Sequence, residues 1–182
     1  MTKKIGESEA SQTGFYAALR YMLQVVKGGF CMAGPPCSLF VWLSTTKHRR
    51  SSGNAWGNTS DPDVRLSNVI ATNAAMVLGV GALRGVRIML EQPSSSRMFD
   101  LPPVRALIQH LRLFDVFTWF GAFQHPMPKP STLWTNLVGA RSLTRRKPKK
   151  QNIPKQNRTS EQEKDFHHKS KCGKWTTGGR WT

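Results

Sequence analysis

Cys37 and Glu91 are the two side chains whose neighbours best equip them for chemistry. The apolar run Phe30–Ala33 leads through Gly34 into Pro35-Pro36, with Cys37 immediately after. Proline lacks an amide donor and restricts the residue before it, so a buried strand must leave its sheet at this corner and present Cys37 at its carboxyl end. A second apolar run, Val86 to Leu90, leads into Glu91-Gln92-Pro93 and sets a carboxylate beside a proline in the same way. If the two runs are strands of one parallel sheet, thiol and carboxylate share one rim, where open α/β sheets bind ligands. A lone cysteine is ordinarily a small core residue. Matching strand ends point instead to a nucleophile, active as its thiolate, facing a carboxylate. The basic residues Lys47, Arg49 and Arg50 follow Cys37 closely enough to favour that thiolate if the intervening loop folds back.

The elements that position these residues are legible in the apolar spacing. Phe15, Ala18, Leu19, Met22, Leu23 and Val26 recur at three and four, which predicts a helix over 12–26 that Gly28-Gly29 ends. Residues 38–60 read as a long loop, of a length that is usually functional or disordered. Asp61 or Asp63 caps a second helix reaching about Arg84, and Gly85 stops it. A third helix fits Pro102 to Leu113, with Pro103 near its first turn. Val116 to Phe123 is expected as a strand whose Trp119, Phe120 and Phe123 enter the core, and Thr132 to Leu137 as a fourth strand. Helix and strand thus alternate, as in an α/β sheet with crossover helices. Gly79, Gly81 and Gly85 imitate a nucleotide-binding fingerprint, but they fall at a helix end and read as packing and termination.

Charge divides the chain without changing sign. The whole carries a formal +17 over 182 residues, and from Arg141 onward there are thirteen basic residues against three acidic ones. Such a balance favours polyanions, nucleic acid before anionic membrane. The expected layout is a flexible 1–11, a folded 12–140 and a basic, disordered tail 141–182, in which Arg145, Arg146, Lys149 and Lys150 contact phosphates. In that tail His167, His168 and Cys172 lack a second ligand pair and read as an incidental cluster rather than a zinc site, while Trp175 and Trp181 are candidates to stack on bases. Three cysteines without a regular framework and an amino terminus without an apolar leader indicate a reduced, intracellular setting, nuclear or cytoplasmic. No run of eighteen uninterrupted apolar residues is present, so a membrane span is not expected.

The series Gly34-Pro35-Pro36-Cys37-Ser38, Leu90-Glu91-Gln92-Pro93 and Lys129-Pro130-Ser131-Thr132-Leu133-Trp134-Thr135-Asn136 resembles, in order and spacing, the motifs of cytosine-5 DNA methyltransferases. The likeness is greatest to compact phage and protist variants and covers roughly residues 12–138. It implies a partial Rossmann-like methyltransferase sheet and S-adenosylmethionine as methyl donor. It also implies that Cys37 attacks carbon six of a flipped cytosine, that Glu91 holds the polar edge of the base, and that Lys47, Arg49, Arg50 and Lys129 meet DNA, with RNA as a second possible partner. Ser38 stands where larger members carry glutamine, and Gln92-Pro93 replaces Asn-Val. The 36 residues before Cys37 contain no Phe-x-Gly-x-Gly turn, so a complementing cofactor-binding half is expected elsewhere. A non-catalytic, basic nucleic-acid-binding module is the alternative reading.

Overall fold

The computed structural model describes residues 7–41, 46–125 and 129–148, together with the short strands at 168–169 and 175–176. Residues 1–148 form one compact unit and 149–182 another. In the first unit, helix α1 (Glu7–Gln24) precedes strand β1 (Phe30–Ala33), helix α2 (Pro62–Leu83) precedes β2 (Arg87–Pro93), and helix α3 (Pro102–His110) precedes β3 (Phe114–Trp119). Strand β4 (Pro130–Thr135) closes the series. The second unit holds a two-residue antiparallel pairing of His168–Lys169 with Trp175–Thr176. Lys149 and Lys150, His167, Cys172 and Trp181 lie outside the described residues, as does the expectation of a disordered tail over 149–167.

The sheet order is β1-β2-β4-β3. β1 and β2 run parallel, with Ala33 opposite Leu90, as the matching strand ends required. β4 runs antiparallel to both β2 and β3, so the sheet is mixed rather than wholly parallel. One face, carrying Ile88, Leu90 and Trp134, packs with Met22, Leu78, Val104 and Leu107 of the helices in the main core. The opposite face forms a smaller cluster of Met89, Val116 and Leu133 beneath Ala140.

Local chemistry accounts for the boundaries. The Asp61 carboxylate accepts from the Asp63 amide at 2.9 Å, and Pro62, which has no amide to leave unpaired, opens α2. At its other end Gly85 adopts φ +79°, a left-handed conformation that suits glycine. Within α2, Gly81 lets Met22 of α1 approach so closely that a Cβ there would strike its sulfur, so this glycine serves helix packing. α2 is the one described helix long and apolar enough to cross a membrane, with mean hydropathy 1.6. Its Val64, Ala71, Ala75 and Leu78 are nevertheless buried inside this unit.

Four expectations need correction. Helix α1 begins at Glu7 rather than Gln12. β2 continues through Pro93, so Glu91 and Gln92 pair with Leu133 and Thr132 inside the ladder instead of ending the strand. The expected third strand stops at Trp119 and tightens into a 3₁₀ turn over Phe120–Phe123; Trp119 and Phe120 are half-buried and Phe123 is 44% exposed, outside the core. The folded unit also passes the expected boundary at 140. A 3₁₀ segment, Val138–Leu143, covers the smaller cluster, and Arg141, Arg145 and Lys147 lie over the rings of Phe114, Phe123 and Trp119 at 5.0, 5.2 and 5.5 Å.

Residues 46–60 fold against α2, and Arg50 is the reason. The residue is 5% exposed, and its guanidinium donates to the Ala55 carbonyl at 2.5 Å, to Asn68 Oδ1 at 2.9 Å and to Ser67 Oγ at 2.9 Å. It also lies 4.0 Å above the Phe40 ring. Burial pulls its pKa down to about 10. Arg50 is therefore a buried anchor, and its expected role as a phosphate contact is withdrawn. Arg50→Ala should destabilise the protein by about 2–4 kcal/mol, because Asn68 and the Ala55 carbonyl lose their charged donor. Urea unfolding measures this, and a loss under about 0.5 kcal/mol, the range of an ordinary surface change, would contradict the anchor.

Candidate functional site

The parallel pairing of β1 with β2 carries the Pro-Pro corner over the middle of β2. Gly34 lies against Glu91 there: a Cβ at Gly34 would stand 3.5 Å from Glu91 Oε2. Two residues in β2 divide the work by strand alternation. Glu91 turns to the face of Leu133 and Val116, whereas Gln92 turns to the other face and reaches the corner itself. The fully buried Gln92 amide donates to the Pro35 carbonyl at 2.6 Å and accepts from Ser96 Oγ at 3.0 Å. Ser96 Oγ in turn accepts from the Met98 amide at 3.2 Å.

Beyond the corner the chain is fixed again. The Cys37 carbonyl accepts from the amides of Phe40 and Val41 at 2.9 and 3.2 Å, so Cys37 opens a tight turn whose far end, Phe40, is wholly buried. The Phe40 carbonyl accepts from the Arg97 amide at 2.8 Å, which ties this turn to the chain just after β2. Cys37 is therefore held from both sides with its thiol half-buried.

Lys129, immediately before β4, completes the cluster. Its ammonium lies 3.2 Å from Glu91 Oε1, with side-chain exposures of 25% for Lys129 and 10% for Glu91. The contact is an ion pair without aligned hydrogen-bond geometry, which leaves that carboxylate oxygen otherwise unpartnered. Cys37 feels both charges. Burial pushes its thiol above the ordinary range, the Lys129 ammonium draws it down, Glu91 raises it, and its own backbone amide lowers it; the net direction is upward. The arrangement is a weakly ionised thiol beside a carboxylate and an ammonium, poised for attack on an electrophilic carbon once ionisation is favoured.

The remaining described sequence candidates do not converge on this cluster. Lys47 and Arg49 are exposed, and Arg49 adopts φ 52° in the loop. Arg145 and Arg146 are exposed in the segment after Leu143, where Arg145 also donates to the carbonyls of Ser142 and Thr144 at 2.7 and 2.8 Å. Three residues escaped sequence reasoning. Gln92 stood out only as a departure from Asn-Val, although a glutamine at a strand end with serine four positions on was a signal for a buried amide lock. Thr135 and Asn136 clamp β2: Thr135 Oγ1 donates to the Ile88 carbonyl at 2.5 Å, and Asn136 Oδ1 accepts from the Ile88 amide at 2.8 Å. The Trp-Thr-Asn end of the third motif is thus structural.

An apolar groove of about 760 Å³ runs between α1, β1 and α2, lined by Phe15, Met22, Cys31, Ala33, Ile70 and Val77 among others. Among the described residues that line it, Asn73 is the single amide side chain and none is a carboxylate or a cation. S-adenosylmethionine presents a ribose diol and an amino-acid zwitterion, which need polar partners. The groove does not fit that cofactor. Among the described residues no group of three or more metal-binding side chains occurs either. Comparison with known proteins finds no matching family model, no matching curated protein and no matching solved structure.

Gln92→Leu should cost about 2–3 kcal/mol, since the buried Pro35 carbonyl and Ser96 hydroxyl lose their partner. The same substitution should free the corner and speed alkylation of Cys37, followed by peptide-resolved mass spectrometry. Equal stability together with unchanged alkylation would show that another contact holds the corner. In the unaltered protein, alkylation of Cys37 should keep rising beyond the pH at which a free thiol is half-ionised, because burial favours the neutral form; a midpoint near neutrality would contradict that.

Proposed function

We propose that this chain supplies the base-engaging half of a cytosine-5 methyltransferase-like site, acting on a flipped pyrimidine of DNA. The observation that supports the reading is the parallel β1–β2 pairing, which sets Gly34, at the entry to the Pro-Pro-Cys corner, against Glu91.

In this reading Cys37 Sγ, after loss of its proton, forms a bond to carbon six of the pyrimidine. The electron pair of the five–six double bond passes to carbon five, and Glu91 holds the polar edge of the ring. The base must leave the duplex stack for its face to reach the thiol. Basic residues that remain exposed, Lys47, Arg49, Arg145 and Arg146, supply phosphate contacts without reading sequence. Nucleic acid as partner places the protein in the nucleus or cytoplasm. The methyl donor is held by a complementing half, another segment or another polypeptide, because the described residues lining the groove beside β1 lack the polar partners it needs. The outer edge of β1, one of the two edge strands of the sheet, is where that half attaches.

DNA carrying 2-pyrimidinone in place of one cytosine tests this with the full chain alone. That base lacks the amino group, so its carbon six is more electrophilic and thiol addition needs no methyl donor. A denaturation-resistant protein–DNA adduct is expected, abolished by Cys37→Ser, with salt-dependent binding retained in the variant. Binding with no adduct on either DNA or RNA favours the non-catalytic module.

A further inference from the structure

We infer that Lys129 is a positioning residue of the rim site rather than a phosphate contact: its ammonium fixes Glu91 and offsets the carboxylate's repulsion of a Cys37 thiolate. This rests on Cys37 acting as the proposed nucleophile, and it reassigns a residue otherwise grouped with the DNA-binding cations.

The geometry restrains Lys129 from three directions. Its carbonyl accepts from the Phe120 amide at 2.9 Å, so its backbone is pinned where β3 ends and β4 begins. Its ammonium lies 5.5 Å from the centroid of the Phe120 ring, close enough for cation–π attraction. The same nitrogen stands 3.2 Å from Glu91 Oε1, and three-quarters of the side chain is covered. A lysine that serves phosphates keeps its head in water and mobile. This one already neutralises a carboxylate that is itself nine-tenths buried, and turning to a phosphate would strand that carboxylate in the interior without a counter-charge.

The chemistry needs such a cation. Attack on a ring carbon requires the thiolate, and a thiolate forming beside Glu91 places two like charges in one half-buried site. The two act on Cys37 with opposite sign: the ammonium draws its pKa down and the carboxylate raises it. With Lys129 the ionised trio carries one net negative charge; without it, two. The Lys-Pro pair is suited to hold this position, since Pro130 restricts the backbone of the lysine before it.

The test is the pH dependence of iodoacetamide alkylation of Cys37 in the full chain, resolved by peptide from Cys31 and Cys172. Lys129→Met should raise the midpoint by roughly one pH unit, slowing alkylation about tenfold at a fixed pH below it, whereas Lys129→Arg should restore it. Glu91→Gln should move the midpoint the other way. If Lys129→Met fails to fold, Lys129→Met/Glu91→Gln carries the comparison, because it leaves no unpaired buried carboxylate; its midpoint should lie above that of Glu91→Gln alone. The salt dependence of DNA binding should be the same in Lys129→Met as in the unaltered chain. An unmoved midpoint, or a binding slope reduced by about 0.9, as loss of one phosphate contact requires, overturns the inference. A shifted midpoint in a protein that forms no adduct with 2-pyrimidinone DNA supports the role of Lys129 and overturns only the base-attack reading.

Discussion

The buried amide of Gln92 is the constraint on which the site depends. A Pro-Pro corner has two missing amide donors and must be held by its carbonyls, and the Pro35 carbonyl is taken by Gln92 Nε2 at 2.6 Å. Because Gln92 belongs to β2, that bond fixes the corner to the same strand that carries Glu91, one residue away on the opposite face. Ser96 accounts for the other end of the amide, so the lock is closed and no buried polar group in it lacks a partner. A closed network of this kind specifies a single arrangement, whereas an apolar contact at the corner would tolerate sliding. The position of Cys37 follows from β2 as much as from its own strand.

Around this lock the molecule separates structural from solvent-facing positive charge. Arg50 is turned inward, its two terminal nitrogens on neutral oxygens and its plane over an aromatic face, with Nε left without a partner, and this ties residues 46–60 to α2. Lys129 is committed to Glu91. Arg141, Arg145 and Lys147, though solvent-exposed, lie over aromatic rings near β3, which explains why the first unit extends into the basic segment. Apolar ring faces give these cations a packing surface that charge alone would not supply. A count of basic residues says that the chain attracts polyanions; it does not say which cations remain free to do so.

Much of the fold could be read from residue types, for definite reasons. The two strands that carry the chemistry end at prolines, α2 begins with a capping aspartate followed by proline, and Gly85 ends it; each signal acts through the backbone of its own neighbourhood. The antiparallel insertion of β4 between β2 and β3 was not legible, because strand direction depends on a loop path rather than on strand composition. Glu91 was taken as the end of its strand, since the continuation of pairing to Pro93 is decided by β4, far along the chain. Arg50 misled because a cation in a polar loop looks solvated until Ser67 and Asn68, two buried polar residues of α2, are seen to face it. Lys129 misled for the same reason, its partner lying 38 positions earlier in the chain at Glu91.

The central claim is that one flat ring lies between the Cys37 thiol and the Glu91 carboxylate on a single rim. A crystal structure of the full chain with an oligonucleotide carrying 2-pyrimidinone tests it most directly. The account predicts an extrahelical ring bonded through carbon six to Cys37 Sγ, its polar edge against Glu91, with Lys129 still on the Glu91 carboxylate and Gln92 still on the Pro35 carbonyl. A structure in which the modified base stays stacked, or is bound away from the rim with Cys37 free, would contradict it.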